Sequence, residues 1–157
     1  MRLRMRADLH TPRPAPVDPL SRQVRADDRS ALAALMLAAY RGTVDDAGEG
    51  PDEALTEVAR LFDGAYGTFD AACSEVVIRD GALVSATLVT EFEGRPLIAF
   101  SMTAPVWKRR GLARAGLLRT MERLRQAGRD EVALAVTDAN TPARRLNESL
   151  GFVEVSA

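Results

Sequence analysis

Apolar positions in the first third of the chain recur at helical spacing. Leu32, Leu35, Met36 and Ala39 fall three or four apart, Asp27 or Asp28 stands where an N-cap belongs, and Gly42 follows as a C′ residue, which predicts a helix. A second helix is predicted from Pro51, with Leu55, Val58, Leu61 and Phe62 as its apolar stripe and Asp52 and Glu53 at the positive end of its dipole. Ser21 to Arg25 reads as a short strand ahead of them. From Cys73 the pattern changes to strands: Glu75 to Arg79, a turn at Asp80-Gly81, Ala82 to Glu91, a turn around Gly94, and Pro96 to Thr103. After Gly111 a long helix carries Leu117, Met121 and Leu124 on one face. A strand at Glu131 to Val136, a helix from Asn140 to Gly151 and a strand at Phe152 to Val155 complete the order. Helices, a meander, then alternating strands and helices predict an α/β (α+β) domain with a mixed, mainly antiparallel sheet flanked by helices.

Residues 1–18 show no sustained helical or strand period beyond an alternation of arginine with Leu3 and Met5, and Pro12, Pro14 and Pro16 follow. They are expected to form an extended Pro/Arg-rich leader, with one domain over 19–157. An edge strand and a nucleic-acid-binding arm are the other readings of the leader. The 157 residues, 46% hydrophobic and 27% charged, suit one globular domain, and a net charge of −1 argues against a nucleic-acid partner.

Scarcity excludes more. His10 is the only histidine, Cys73 the only cysteine and Lys108 the only lysine. An ordinary zinc site lacks ligands, so no metal is expected, and Cys73 has no partner for a disulfide. Nucleophilic catalysis through histidine would have to recruit His10 from the proline-rich leader. Cys73 reads as a small strand-start residue. No apolar run approaches the roughly 20 residues of a membrane span, and a cytoplasmic location without membrane partners is expected.

Chemistry is concentrated at Thr103 to Arg114, where an apolar strand meets a basic loop and a helix begins. Helix-start amides lack intrahelical partners, Gly111 permits close approach, and Lys108, Arg109, Arg110 and Arg114 add positive charge, so an anion site is predicted. Gly111 and Gly116 have Walker A spacing, but Leu117 and Leu118 follow; the dinucleotide fingerprint fails at Ala113. The segment resembles the pyrophosphate loop of the GNAT N-acetyltransferases, Arg/Gln-x-x-Gly-x-Gly/Ala after a proline-containing turn, with Lys108, Gly111 and Ala113 at those places. Downstream, Asn140, Ala143, Leu146, Asn147, Gly151 and Phe152 are similar to the family's Asn-x-x-Ala-x-x-Leu-Tyr-x-x-x-Gly-Phe. Read without the resemblance, the two segments are a basic helix start and a capped core helix.

The resemblance implies a GNAT fold and acetyl-CoA as donor, with its pyrophosphate on the amides of Arg109, Arg110, Gly111, Leu112, Ala113 and Arg114 beside Lys108. The pantetheine arm would run along Ser101, Met102 and Thr103, with Asn140 and Ala143 across from it. A small-molecule or peptide amine would attack the thioester directly, no nucleic acid would bind, and a homodimer is left open. The family's proton-donating tyrosine is Asn147 here, which donates a hydrogen bond but delivers no proton at neutral pH. Ser101, Asn147 and Tyr40 are the candidate catalytic residues. No general base is assigned: Glu75, Glu91 and Glu93 read as solvent-facing strand residues. The loop from Gly42 to Glu53 holds five acids and no base, so Asp45 and Asp46 are candidate ligands for a cationic amine; a solvated acidic loop feeding a helix N-terminus accounts for them equally. An acyl-CoA-binding module of the same fold is the alternative function.

Overall fold

The computed structural model describes residues 1–155; the last two residues of the expected domain lie outside them. The chain order is β1 (Arg2–Asp8), β2 (Ser21–Arg22), α1 (Arg29–Tyr40), α2 (Pro51–Phe62), β3 (Thr68–Phe69), β4 (Glu75–Arg79), β5 (Ala82–Phe92), β6 (Arg95–Thr103), α3 (Leu112–Gln126), β7 (Glu131–Thr137), α4 (Thr141–Ser149) and β8 (Val153–Glu154). One sheet runs β2-β4-β5-β6-β7-β1-β8, with β3 paired to β5. All pairings are antiparallel except β6 with β7. This is the expected mixed, mainly antiparallel α/β architecture.

The hairpin turns follow from local chemistry. Asp80-Gly81 and Glu93-Gly94 all have positive φ, the requirement of type I′ turns, whose twist matches that of the flanking strands. Helices then cover the two sheet faces. Leu32, Leu35 and Met36 of α1 and Val58 and Leu61 of α2 pack on Val76, Ala86, Leu88 and Met102. Opposite, Leu117, Met121 and Leu124 of α3 pack with Val132, Leu134 and Phe152. Gly116 lets α3 approach the sheet: a Cβ there would lie 2.7 Å from Thr87 Oγ1. The stripe expected on α2 shifts by one residue, since Leu55 is exposed and Ala54 is buried.

Residues 2–8 differ from the expected leader. They form β1, which pairs along its whole length with β7 and carries β8 on its other edge, burying Leu3, Met5 and Ala7 in the α3 core. The alternation of arginine with apolar residues is therefore a half-buried strand, and the expected boundary between a leader at 1–18 and the domain does not describe these residues. The proline-rich stretch that follows is fastened to the same body: Arg119 donates to the carbonyl of Pro16 at 2.8 Å, and Asp18 pairs with Arg79 at 2.7 Å.

Glu75 corrects a second expectation. It is only 1% exposed and accepts from Arg119 at 2.7 and 2.8 Å and from Arg123 at 3.0 Å, so it is a buried ion-pair residue. The bidentate geometry offsets desolvation that an unpaired carboxylate could not bear. Glu91 likewise pairs with Arg129, at 2.6 Å.

Candidate active site

The basic segment after β6 makes a short 3-10 turn over Pro105–Trp107 and enters α3 through two left-handed residues, Arg109 (φ 64°) and Gly111 (φ 81°). Glycine occupies that conformation at no steric cost, whereas Arg109 is held in it against its Cβ. The first amide bonded back into the helix is that of Ala115, to the Gly111 carbonyl at 3.0 Å, which leaves the amides of Leu112, Ala113 and Arg114 without intrahelical partners. Together these groups form a concave donor cluster suited to an anion.

Side chains brace this loop from outside. Lys108 Nζ donates to the carbonyl of Ala39 at 3.0 Å, Arg114 to Ser149 Oγ at 2.7 Å, and the Arg110 guanidinium lies 4.8 Å from the centre of the Trp107 ring. Arg110 consequently stands apart from the cavity that the other expected residues line. Trp107 combines packing with a cation–π contact.

β6 and β7 are in register only at Leu97–Ala133 and Ile98–Leu134. Beyond Ile98 they part, and the facing backbone groups of β6 toward Thr103 have no strand partner on that side. A cavity of about 1060 Å³ passes through the gap. At one end lie Lys108, Arg109, Gly111, Leu112, Ala113 and Arg114; along it lie Ser101, Met102 and Thr103 from β6 and Asn140, Ala143 and Asn147 from the α4 side. At the other end is a lobe lined by Tyr40, Asp45, Asp46, Glu49, Glu53, Glu57 and Arg2.

The candidate catalytic residues have distinct surroundings. Tyr40 is deeply placed in this lobe, and burial, then the charge of Asp45, push its phenol above the ordinary value of 10.0, with Arg2 opposing. It is therefore a protonated hydrogen-bond donor at neutral pH. Asn147 is buried, with Nδ2 3.9 Å from Met5 Sδ, a weak contact that leaves its donors underused. Ser101 is exposed on β6.

The acidic loop is folded against the far strand. Asp45 accepts from Thr137 Oγ1 at 2.5 Å and from Asn140 Nδ2 at 3.3 Å. Asn140 meanwhile caps α4 with Oδ1, which accepts from the Ala143 amide at 3.3 Å, so both ends of its amide are used. Asp46 accepts the amides of Gly42 and Gly48 at 2.8 and 2.9 Å; these bonds hold its carboxyl below the ordinary range and make it a loop-shaping residue. Glu53 reaches the lobe from the acidic loop, as its composition suggests, whereas Glu57 and Arg2 lie outside the stretch that the sequence singles out. The i,i+4 spacing of Glu53 and Glu57 was a usable signal on α2, whereas Arg2 arrives through a strand pairing that is distant in sequence. Cys73 is a buried free thiol outside this cavity, pushed up to about 11 by burial, and is unsuited to nucleophilic work.

A helix-start donor cluster joined by a parted strand pair to a second lobe is an arrangement for an anionic, extended ligand meeting another molecule. The family model described as "Acetyltransferase (GNAT) family" matches residues 35–152. The chain belongs to the GNAT acetyltransferase family. Its fold is similar to that of a GCN5-related N-acetyltransferase from Sphaerobacter thermophilus, at 23% identity and TM-score 0.74, over 98% of this chain and 48% of that one. It is also similar to the ribosomal-protein-S18-alanine N-acetyltransferase of Escherichia coli (18% identity, TM-score 0.68, 87% of this chain and 78% of that one). A third likeness is to the aminoglycoside N-acetyltransferase AAC(6')-Iy in complex with CoA (16% identity, TM-score 0.65, 94% of each chain). This GNAT chain thus spans about half the length of the Sphaerobacter protein. A comparison with curated proteins finds no match. Among the described residues no helix is long and apolar enough to cross a membrane.

Proposed function

We propose that this GNAT protein is an N-acetyltransferase that moves an acetyl group from acetyl-CoA to a primary amine by direct attack within a ternary complex. The observation that carries the reading is the continuity of the cavity, from the amides at the start of α3, past the parted edge of β6, into the acidic lobe. The loop amides take the CoA pyrophosphate, with Lys108 holding the loop through the Ala39 carbonyl, and the unpaired edge at Ser101–Thr103 takes the pantetheine arm as an added strand would be taken. The residues present fit that role, since their donors are backbone amides and cations. Acetyl-CoA supplies the activated thioester; the chain supplies position and charge.

Asp45, Glu49, Glu53 and Glu57 draw a cationic amine to the lobe, while Tyr40 offers a donor to the reacting carbonyl or to the departing thiolate. Asn147 cannot deliver a proton, so Tyr40 or water takes the part of the family's tyrosine. Calorimetric titration with acetyl-CoA, paired with an amine-dependent thiol-release assay over polyamines, aminoglycosides, amino acids and peptides, tests the reading. Binding with turnover of cationic amines is expected, and absence of acetyl-CoA binding sinks it. Asn147 also motivates a second reading, a weakly active acyl-CoA-binding module. That reading expects binding without turnover, and acquisition of turnover by Asn147→Tyr.

A further inference from the structure

Among the described residues, no helix covers the part of one sheet face formed by β7 and β1. Leu3, Met5 and Ala7 of β1 point into the α3 core, so Arg2, Arg4 and Arg6 point to the opposite face, where α1 and α2 pack over β3, β4, β5 and β6. Their cross-strand partners on β7 are Thr137, Ala135 and Ala133, side chains too small to cover them. All three arginines are exposed.

They are not equivalent. Arg6 lies 3.5 Å from Glu131, which also reaches Arg95 at 3.6 Å, so that end of the row is balanced. No carboxylate among the described residues comes within 4.0 Å of the Arg2 or Arg4 guanidinium. Among the described residues the Arg2 side chain makes one hydrogen bond, to the carbonyl of Ala135 at 3.3 Å, and it lines the cavity. Its cross-strand partner Thr137 is the residue that donates to Asp45. The acidic lobe and these two arginines, which no carboxylate among the described residues approaches within 4.0 Å, are therefore consecutive stretches of one surface, and a ligand leaving the lobe along β1 passes from mainly negative to positive charge.

We propose that the acceptor is a peptide whose amine enters the acidic lobe and whose following segment is acidic, its carboxylates held by Arg2 and Arg4. This rests on the acetyltransferase reading and narrows its acceptor class. Arginines two apart on a strand stand about 7 Å apart, the spacing of alternate side chains of an extended peptide, so carboxylates at alternate positions fit best. A nucleic acid fits less well, because it brings no cationic amine to the acidic lobe, where its phosphates would face Asp45, Asp46 and Glu49.

Three peptides with the same free N-terminal residue, followed by Asp, Ser or Lys at two alternate positions, test the proposal by fluorescence anisotropy, with the protein free and saturated with CoA. Exposed ion pairs contribute modestly, so the Asp peptide is expected to bind roughly fivefold more tightly than the Ser peptide. The Lys peptide should bind most weakly, and raised salt should erase the difference. Arg2→Ser/Arg4→Ser, checked for folding by its thermal transition, should abolish the preference; Arg2→Lys/Arg4→Lys should restore it. Equal binding of the three peptides overturns the proposal, as does a preference that survives the double serine substitution, or tighter binding of a single-stranded RNA than of the Asp peptide. Peptide binding is read without turnover. Failure of acetyl-CoA to bind would remove the proposed function, whereas loss of charge preference with acetylation intact removes only this inference.

Discussion

The single lysine of the chain, Lys108, donates its ammonium to the carbonyl of Ala39 at 3.0 Å, joining the anion loop to the last turn of α1. The bond satisfies a helix-end carbonyl and places a cation at the negative end of the α1 dipole. It also gives a physical account of lysine where the family favours arginine or glutamine: this long, single-headed cation reaches out of its own loop. Tyr40 and the acidic loop follow directly after Ala39, so the cofactor end and the acceptor end of the cavity share this brace.

Lys108→Met keeps the aliphatic stem and removes the donor. About 1 kcal/mol of stability should be lost, and acetyl-CoA affinity should fall severalfold as loop order and charge go together. Thermal denaturation and calorimetry read the two effects separately. Unchanged values in both would show that the brace is incidental.

Gly111 and Gly116 should respond to alanine for different reasons. At Gly111 a Cβ meets nothing within 4 Å, so the cost of about 1 kcal/mol is backbone strain at φ 81°. It should appear mainly as weaker acetyl-CoA binding. At Gly116 a Cβ would sit 2.7 Å from Thr87 Oγ1, deep between α3 and β5. Gly116→Ala should cost about 1–3 kcal/mol in denaturant unfolding, and Thr87→Ala in the same chain should recover part of it.

Glu75→Gln should destabilise by about 3–5 kcal/mol, because Arg119 is only 8% exposed and loses its charge partner. Glu75 lies outside the cavity residues, so the folded fraction should still bind acetyl-CoA with ordinary affinity. A loss confined to activity, with stability intact, would contradict the structural role assigned to it.

Acidification should act through Asp28 and Asp18. Asp28 accepts from both terminal nitrogens of Arg22 at 2.8 Å and from the Arg25 amide at 2.7 Å, and Arg22 holds its carboxyl below the ordinary 3.8. Arg79 does the same to Asp18. A carboxylate lowered on folding binds its proton more weakly in the native state. Its stabilisation is therefore complete above the unfolded value and is lost as pH falls through the folded one. The stability advantage of the native protein over Asp28→Asn should be full at pH 6 and shrink steadily below about pH 4. Denaturant midpoints across that range measure it, and a pH-independent difference would refute the assignment.

Met5→Ala should cost about 2–5 kcal/mol, since its side chain is 2% exposed in the α3 core and touches Asn147. A cost near zero would mean that β1 is dispensable to the fold.

Much of the architecture is local in origin and so was legible in the residues. Helical periods, Asp-Gly and Glu-Gly turns and the Asn140 cap each depend on neighbours within a few positions, and the elements they predict stand within a residue or two of those expected. The anion loop was legible for the same reason, as its donors are consecutive amides. What the residues alone left open depends on pairing across long separations. The alternation of residues 2–8 was visible, but its partner, β7, lies about 130 positions away; only the folded sheet decided that the strand is internal and that Arg2 borders the cavity. Glu75 looked like a surface acid until Arg119 and Arg123, on a helix more than 40 residues later, supplied the charges that permit its burial. Local sequence determined which elements and amides exist, because short-range sterics and hydrogen bonding set them. The tertiary structure decided which charges meet, because charge pairing, burial and cavity shape belong to surfaces brought together from distant parts of the chain.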